Sequence, residues 1–157
     1  MTRKILLVAA ASGCALLGSE ALAEEFRPLS QSLTLSGYVT MDADMIAACM
    51  VTIALSIDNS GNAVMTGSSS APGHAFCGFS TGPRGTWALL PGPGTSTVSM
   101  NISFQLIGWG CVGAVQADFD NTTGNLVFDN VTVPGDRGVT CVLNGTLGSS
   151  PQMSIIS

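Results

Sequence analysis

Apolar and polar residues alternate one for one along much of this chain, and a period of two restricts it to β-strands buried on one face. Leu33, Leu35, Val39 and Met41 alternate with Thr34, Ser36, Tyr38 and Thr40. Val51, Ile53, Leu55 and Ile57 alternate with Thr52, Ala54, Ser56 and Asp58. Further on, Val98, Met100, Ile102, Phe104 and Leu106 alternate with Ser99, Asn101, Ser103 and Gln105. No comparable 3.6-residue pattern occurs after residue 23, so little helix is expected there.

The strands belong to a unit that occurs twice, over approximately residues 33–87 and 98–147. Cys49 is followed nine residues later by Asp58-Asn59-Ser60-Gly61-Asn62, and Cys111 nine residues later by Asp120-Asn121-Thr122-Thr123-Gly124-Asn125. Pro72-Gly73 and Cys77 follow the first turn as Pro134-Gly135 and Cys141 follow the second. A Gly-Thr-apolar triplet trails each closing cysteine, Gly85-Thr86-Trp87 and Gly145-Thr146-Leu147. Each unit reads as a strand, a Cys-led second strand, an Asx/Gly hairpin turn, a returning strand and a Pro-Gly corner. The expected fold is therefore all-β, an antiparallel β-sandwich or barrel built from two Cys-led hairpin units. Pro83-Arg84-Gly85 and Pro91-Gly92-Pro93-Gly94 read as a loop between the units, within one domain of residues 24–157, with a boundary between two small subdomains as the alternative.

Parity places Cys49 on the face of Val51, Ile53, Leu55 and Ile57, Cys111 on that of Val115, Ala117 and Phe119, and Cys141 on that of Val139, Leu143 and Leu147. All three point inward. Four cysteines allow three connectivities. The repeat favours Cys49 with Cys77 and Cys111 with Cys141, since each bond then closes one unit. Zinc is disfavoured, because no Cys-x-x-Cys pair occurs and His74 is the only histidine.

Disulfides presuppose an oxidising compartment, and the N-terminus supplies a route to one. Arg3 and Lys4 precede an apolar run from Ile5 to Leu17, and Ala21-Leu22-Ala23 precedes Glu24. That is the pattern of a signal peptide over residues 1–23, too short for a membrane span; lipidation at Cys14 is the lesser alternative. Beyond it stand three arginines (Arg27, Arg84, Arg137) against nine carboxylates (Glu24, Glu25, Asp42, Asp44, Asp58, Asp118, Asp120, Asp129, Asp136), a formal balance of −6. An acidic surface repels nucleic-acid phosphates and anionic headgroups. So few charges on a Ser/Thr/Asn/Gly-rich surface leave little repulsion between molecules and favour association.

No catalytic constellation emerges. There is no Gly-x-Ser-x-Gly elbow and no phosphate loop ahead of a helix, and His74 reads as an inert loop residue. Asp42 with Asp44, and Asp118 with Asp120, put carboxylate pairs on one strand face, read as solvated faces and turn caps because the EF-hand pattern is missing. No cofactor or metal site is expected. Trp87, Trp109, Tyr38 and Phe79 are the aromatics available for a ligand platform, with Trp87 and Trp109 the residues to suspect.

From about Leu33 to Leu147, the Ser/Thr/Gly-rich alternating strands, the Cys-led hairpins and the closing Cys141-Val142-Leu143-Asn144-Gly145-Thr146-Leu147 resemble the exported proteobacterial alkane-oxidation activator proteins of the Pra type. The resemblance implies a secreted or surface-associated protein linked to growth on hydrocarbons and to biofilm matrix and adhesive fibres. It carries over no catalytic residue. Two functions follow as expectations: a non-enzymatic surface or biofilm-matrix protein that self-associates or adheres, partnered by itself or by cell-surface components, or an extracellular binding module for an apolar or carbohydrate ligand.

Overall fold

The alternation closes on itself. In the computed structural model, which describes residues 24–71, 77, 88–92, 94–106 and 108–157, eight antiparallel strands form a closed barrel in chain order: β2 (Gln31–Asp42), β3 (Ile46–Ile57), β4 (Ala63–Ala71), β5 (Ala88–Pro91), β6 (Thr97–Leu106), β7 (Trp109–Asp120), β8 (Asn125–Pro134) and β9 (Thr140–Ser150), with β9 returning to pair with β2. Two three-residue strands, β1 (Glu25–Arg27) and β10 (Ser154–Ile156), form a separate ribbon. Among the described residues the only helical element is the 3₁₀ turn Asp136–Gly138. Residues 1–23, read as a signal peptide, lie outside the described residues.

Eight strands enclose an interior that side chains can just fill. Leu33, Leu35, Val39 and Met41 point into it from β2, and Cys49, Val51, Ile53, Leu55 and Ile57 from β3. Val98, Met100, Ile102 and Phe104 meet them from β6, with Cys111, Val115, Ala117 and Phe119 from β7. This is one continuous apolar core. A barrel and a sandwich share that alternation; the long-range ladder between β2 and β9, from Thr34↔Ser150 to Asp42↔Val142, decides for the barrel. That seam approaches closely. A Cβ on Gly37 would run into the Thr146 carbonyl oxygen, and one on Gly145 (φ 147°) into the Tyr38 carbonyl oxygen. A glycine on each strand of this seam lets the last strand close on the first.

Curvature comes from two bulges, on β4 opposite Ala54 and Leu55 and on β8 between Phe128 and Val131. Among the described residues β4 and β5 are joined by two pairs, Ala63↔Leu89 and Val64↔Ala88. The stretch 83–94 is not all loop, as its prolines and glycines suggest: it contains β5, which ends on Pro91. Four residues are too few to show alternation.

The two mouths of the barrel differ. At one, the turns 58–62 and 121–124 flank the β1–β10 ribbon, which lies across the opening. Phe26 N–H donates to the Gly61 carbonyl (3.1 Å), while Ile155 N–H donates to the Asn121 side-chain oxygen (2.6 Å) and the Asn121 amide donates to the Ile155 carbonyl (2.9 Å). Phe26, Met153 and Ile155 are fully buried beneath it, and Phe26 meets the edge of Phe119, centroids 6.5 Å apart. The other mouth carries both disulfides.

Candidate functional site

Both disulfides lie near the ends of strands at the second mouth. Cys49 bonds to Cys77 across 28 residues with Cα atoms 5.5 Å apart, and Cys111 to Cys141 across 30 residues at 6.2 Å. Each therefore closes its own hairpin unit. The sulfurs are buried: Cys49, Cys111 and Cys141 have no exposure and Cys77 has 1%. The Cys77 sulfur also sits 3.2 Å from the Ala48 carbonyl, against β3. Such bonds are structural staples and not reactive thiols.

Trp109 opens β7 at the same mouth, half-buried against the core. The Arg137 guanidinium lies over its ring, 5.5 Å from the centroid, within the range of a cation–π contact. Arg137 belongs to the 3₁₀ turn and adopts φ 56°. The ring face that sequence reading offered to a ligand thus already has an intramolecular partner. Trp87, His74 and Phe79 lie outside the described residues.

The carboxylate pairs separate into different roles. Asp42 ends β2, but Asp44 sits in the turn to β3 at φ 62°, so these two do not share a strand face as expected. Ala43 between them is buried in the core, and its N–H donates to the Met45 carbonyl across the turn (3.2 Å). Asp118 and Asp120 do share the outer face of β7. Asp120 then ties its turn, accepting from the Thr123 hydroxyl (2.6 Å) and the Thr122 N–H (2.9 Å). Asp58 does the same in the first turn, accepting from the Asn62 amide (3.0 Å) and from the N–H groups of Asn62 (2.9 Å) and Ser60 (2.8 Å). These bonds favour the charged forms and hold both carboxyls below the ordinary value of 3.8: Asp58 chiefly through the Asn62 side chain, Asp120 chiefly through the Thr123 hydroxyl. Among the described residues no three His, Cys, Asp or Glu side chains converge as a metal site.

What remains is the outer wall. β2, β3 and β4 present Ser, Thr and small residues outward, and Asp42 is their only charged residue. On that wall Tyr38 (62% exposed) stands opposite Met50, Thr40 opposite Ala48, and Asp42 opposite Ile46 (61% exposed). Tyr38, Met50, Ala48 and Ile46 therefore form one outward apolar patch. The signal was present in the sequence: Ile46, Ala48 and Met50 have the parity of Thr52, Ala54 and Ser56, opposite to inward Cys49 and Val51. Val64 and Leu90 expose a smaller second patch beside β5, and Val112 stands alone on β7. An apolar interior inside a hydroxyl-rich wall inverts the pattern of a membrane barrel, whose outer band is apolar. No helix among the described residues is long and apolar enough to cross a membrane.

A family described as alkane oxidation protein activator PraA/PraB-like matches residues 1–157, the whole chain. No curated protein and no solved structure matches it.

Proposed function

This chain belongs to the alkane oxidation protein activator PraA/PraB-like family, and on that footing we propose that it is an exported, non-enzymatic surface or biofilm-matrix protein that adheres or self-associates during growth on hydrocarbons. The observation that supports this most is the nearly uncharged wall of β2–β4 with its patch of Tyr38, Ile46, Ala48 and Met50. A contiguous apolar area on a wall of neutral hydroxyls loses little on leaving water, because few ions must be desolvated. The described interior is filled with side chains, which directs binding outward. Export accounts for the disulfides, and the two disulfide-closed hairpins, with matching Asp-led turns, read as one duplicated unit.

The test is adsorption. Purified oxidised protein is mixed with hexadecane droplets, and the bound fraction is compared with that of Tyr38→Thr/Ile46→Thr/Met50→Thr, which keeps β-compatible residues. We expect the parent to coat the droplets and the triple variant to remain in solution. Equal adsorption of the two would overturn the assignment to this wall. A binding module is the second reading, supported by the half-exposed Trp109 with its stacked Arg137; a saturable shift of Trp fluorescence with a soluble glycan, without adsorption to droplets, would favour it.

A further inference from the structure

Among the described residues, no strand of the barrel, from β2 to β9, lacks a neighbour on either side. The ribbon edges are also occupied, Phe26 by the Gly61 carbonyl and Ile155 by the Asn121 amide. No described strand is thus a free edge strand for another copy to extend.

One strand can leave without opening the barrel. β1 is held by three ladder pairs, Glu25↔Ile156, Phe26↔Ile155 and Arg27↔Ser154, by the Phe26 bond to Gly61, and by Glu24, whose carboxylate accepts from Gly94 N–H (2.6 Å); the link after it is held by the Ser30 hydroxyl, which donates to the Asn59 side-chain oxygen. Its link to β2 is Pro28-Leu29-Ser30, and the link turns through Ser30 at φ 55°. That is the left-handed region, where a residue bearing a Cβ is strained. Straightening the link releases the strain. Once out, β1 carries Phe26, which has no exposure in the folded chain, and the seat that receives Phe26 is the same in every copy.

We propose that β1 exchanges between copies of this protein: Phe26 of one chain seats against Phe119 of another, and β1 pairs with that chain's β10. This rests on the self-association half of the proposed function and names its partner, a second copy, and its route. Reciprocal exchange yields a closed dimer; exchange in one direction yields an open string of copies. The contacts of β1 itself are the same within and between chains, so the link sets the balance, and the Ser30–Asn59 bond that straightening breaks favours the self-contained form. Strain at Ser30 favours exchange. The tether favours the self-contained form, with an effective concentration on the order of millimolar for a short link. Exchange thus belongs to crowded material at a surface and not to dilute solution.

The test reads intermolecular pairing directly. Isotope-labelled Glu25→Cys protein and unlabelled Ile156→Cys protein, positions that face each other across the β1–β10 ladder, are mixed at high concentration and the cross-linked species are weighed. We expect the mixed cross-link to exceed both same-variant cross-links. The link supplies a two-sided control in an Asn59→Ala background, where the Ser30–Asn59 bond is already gone: Ser30→Gly removes the strain and should lower the assembled fraction, by roughly five- to thirty-fold in the exchange constant, whereas Ser30→Pro forbids the left-handed turn and should raise it. Assemblies in which the mixed cross-link is no commoner than the others, or whose amount neither Ser30 variant changes, would sink exchange and leave self-association standing. A protein that stays monomeric by light scattering up to millimolar concentration would remove self-association, and exchange with it.

Discussion

Removing one disulfide at a time, as Cys49→Ala/Cys77→Ala or Cys111→Ala/Cys141→Ala, tests whether the two hairpin units are stapled independently. The loops span 28 and 30 residues, and in the chain-entropy model each bond then contributes about 3.6 kcal/mol, the two differing by less than about 0.1 kcal/mol. The loops 49–77 and 111–141 do not overlap, so in the unfolded chain their closure entropies add. Unfolding a chain of about 130 residues carries an entropy of roughly 0.28 kcal/mol/K, so losing one bond lowers Tm by about 13 °C. Voids left by the buried sulfurs push the loss further the same way. Without both bonds the cost of about 7 kcal/mol rivals the roughly 5 to 15 kcal/mol of a typical domain, and the barrel should be unfolded at 37 °C. Thermal and urea unfolding by circular dichroism of the parent, both pair variants and the quadruple variant gives the values. A Tm loss under about 3 °C in either pair variant would refute the entropic reasoning. So would one pair costing more than about 2 kcal/mol beyond the other, because equal loops would then not set the cost.

Three further outcomes are expected. Phe26→Ala empties the seat against Phe119 and should destabilise by about 3 to 5 kcal/mol in urea unfolding. Asp58 and Asp120 have lowered folded-state pKa values, so the stability they contribute is present above their ordinary value and lost as pH falls through the folded value; Tm should fall below about pH 4, and Asp58→Asn/Asp120→Asn should flatten that fall. N-terminal sequencing of protein recovered outside the cytoplasm should begin at Glu24, and a lipidated start at Cys14 would contradict it.

The sequence makes strands legible and closure illegible, for a physical reason. Parity depends on neighbours two residues apart, so the inward faces of β2, β3, β6 and β7 and the buried state of Cys49, Cys111 and Cys141 can be read directly. Closure depends on the β2–β9 ladder, whose partners Thr34 and Ser150 lie 116 residues apart. No local pattern encodes that pairing. Its trace is Gly37 with Gly145, which read as ordinary strand glycines until the strands meet. The ribbon fails for a different reason: Glu25–Arg27 and Ser154–Ile156 are too short to alternate, and each is a strand only because the other is beside it. The turn at Asp44 was hidden because Asp42, Ala43 and Asp44 continue the alternation of β2 on paper while the backbone has already turned. The outward apolar patch was readable by extending the parity of Thr52, Ala54 and Ser56 back to Ile46.

Where the charges fall gives the barrel two sides. β3 and β4 lie opposite β7 and β8 in the strand order. The first pair carries no charged residue at all, whereas the second carries Asp118, Asp120 and Asp129, all exposed. Against an apolar surface the two sides are not equivalent: burying the β7–β8 side requires desolvating carboxylates with no cation beside them on those strands, while burying the β3–β4 side removes hydroxyls, methyls and the Met50–Tyr38 pair. The same asymmetry acts between copies, since two acidic sides repel and two neutral walls do not. A molecule lying on a surface by its neutral wall turns its acidic side to water. The capped mouth then points along the surface, because both mouths lie at right angles to the walls. That orientation leaves β1 of one copy facing sideways toward the mouth of a neighbour, where adhesion through the wall and exchange through the cap would not compete for the same residues.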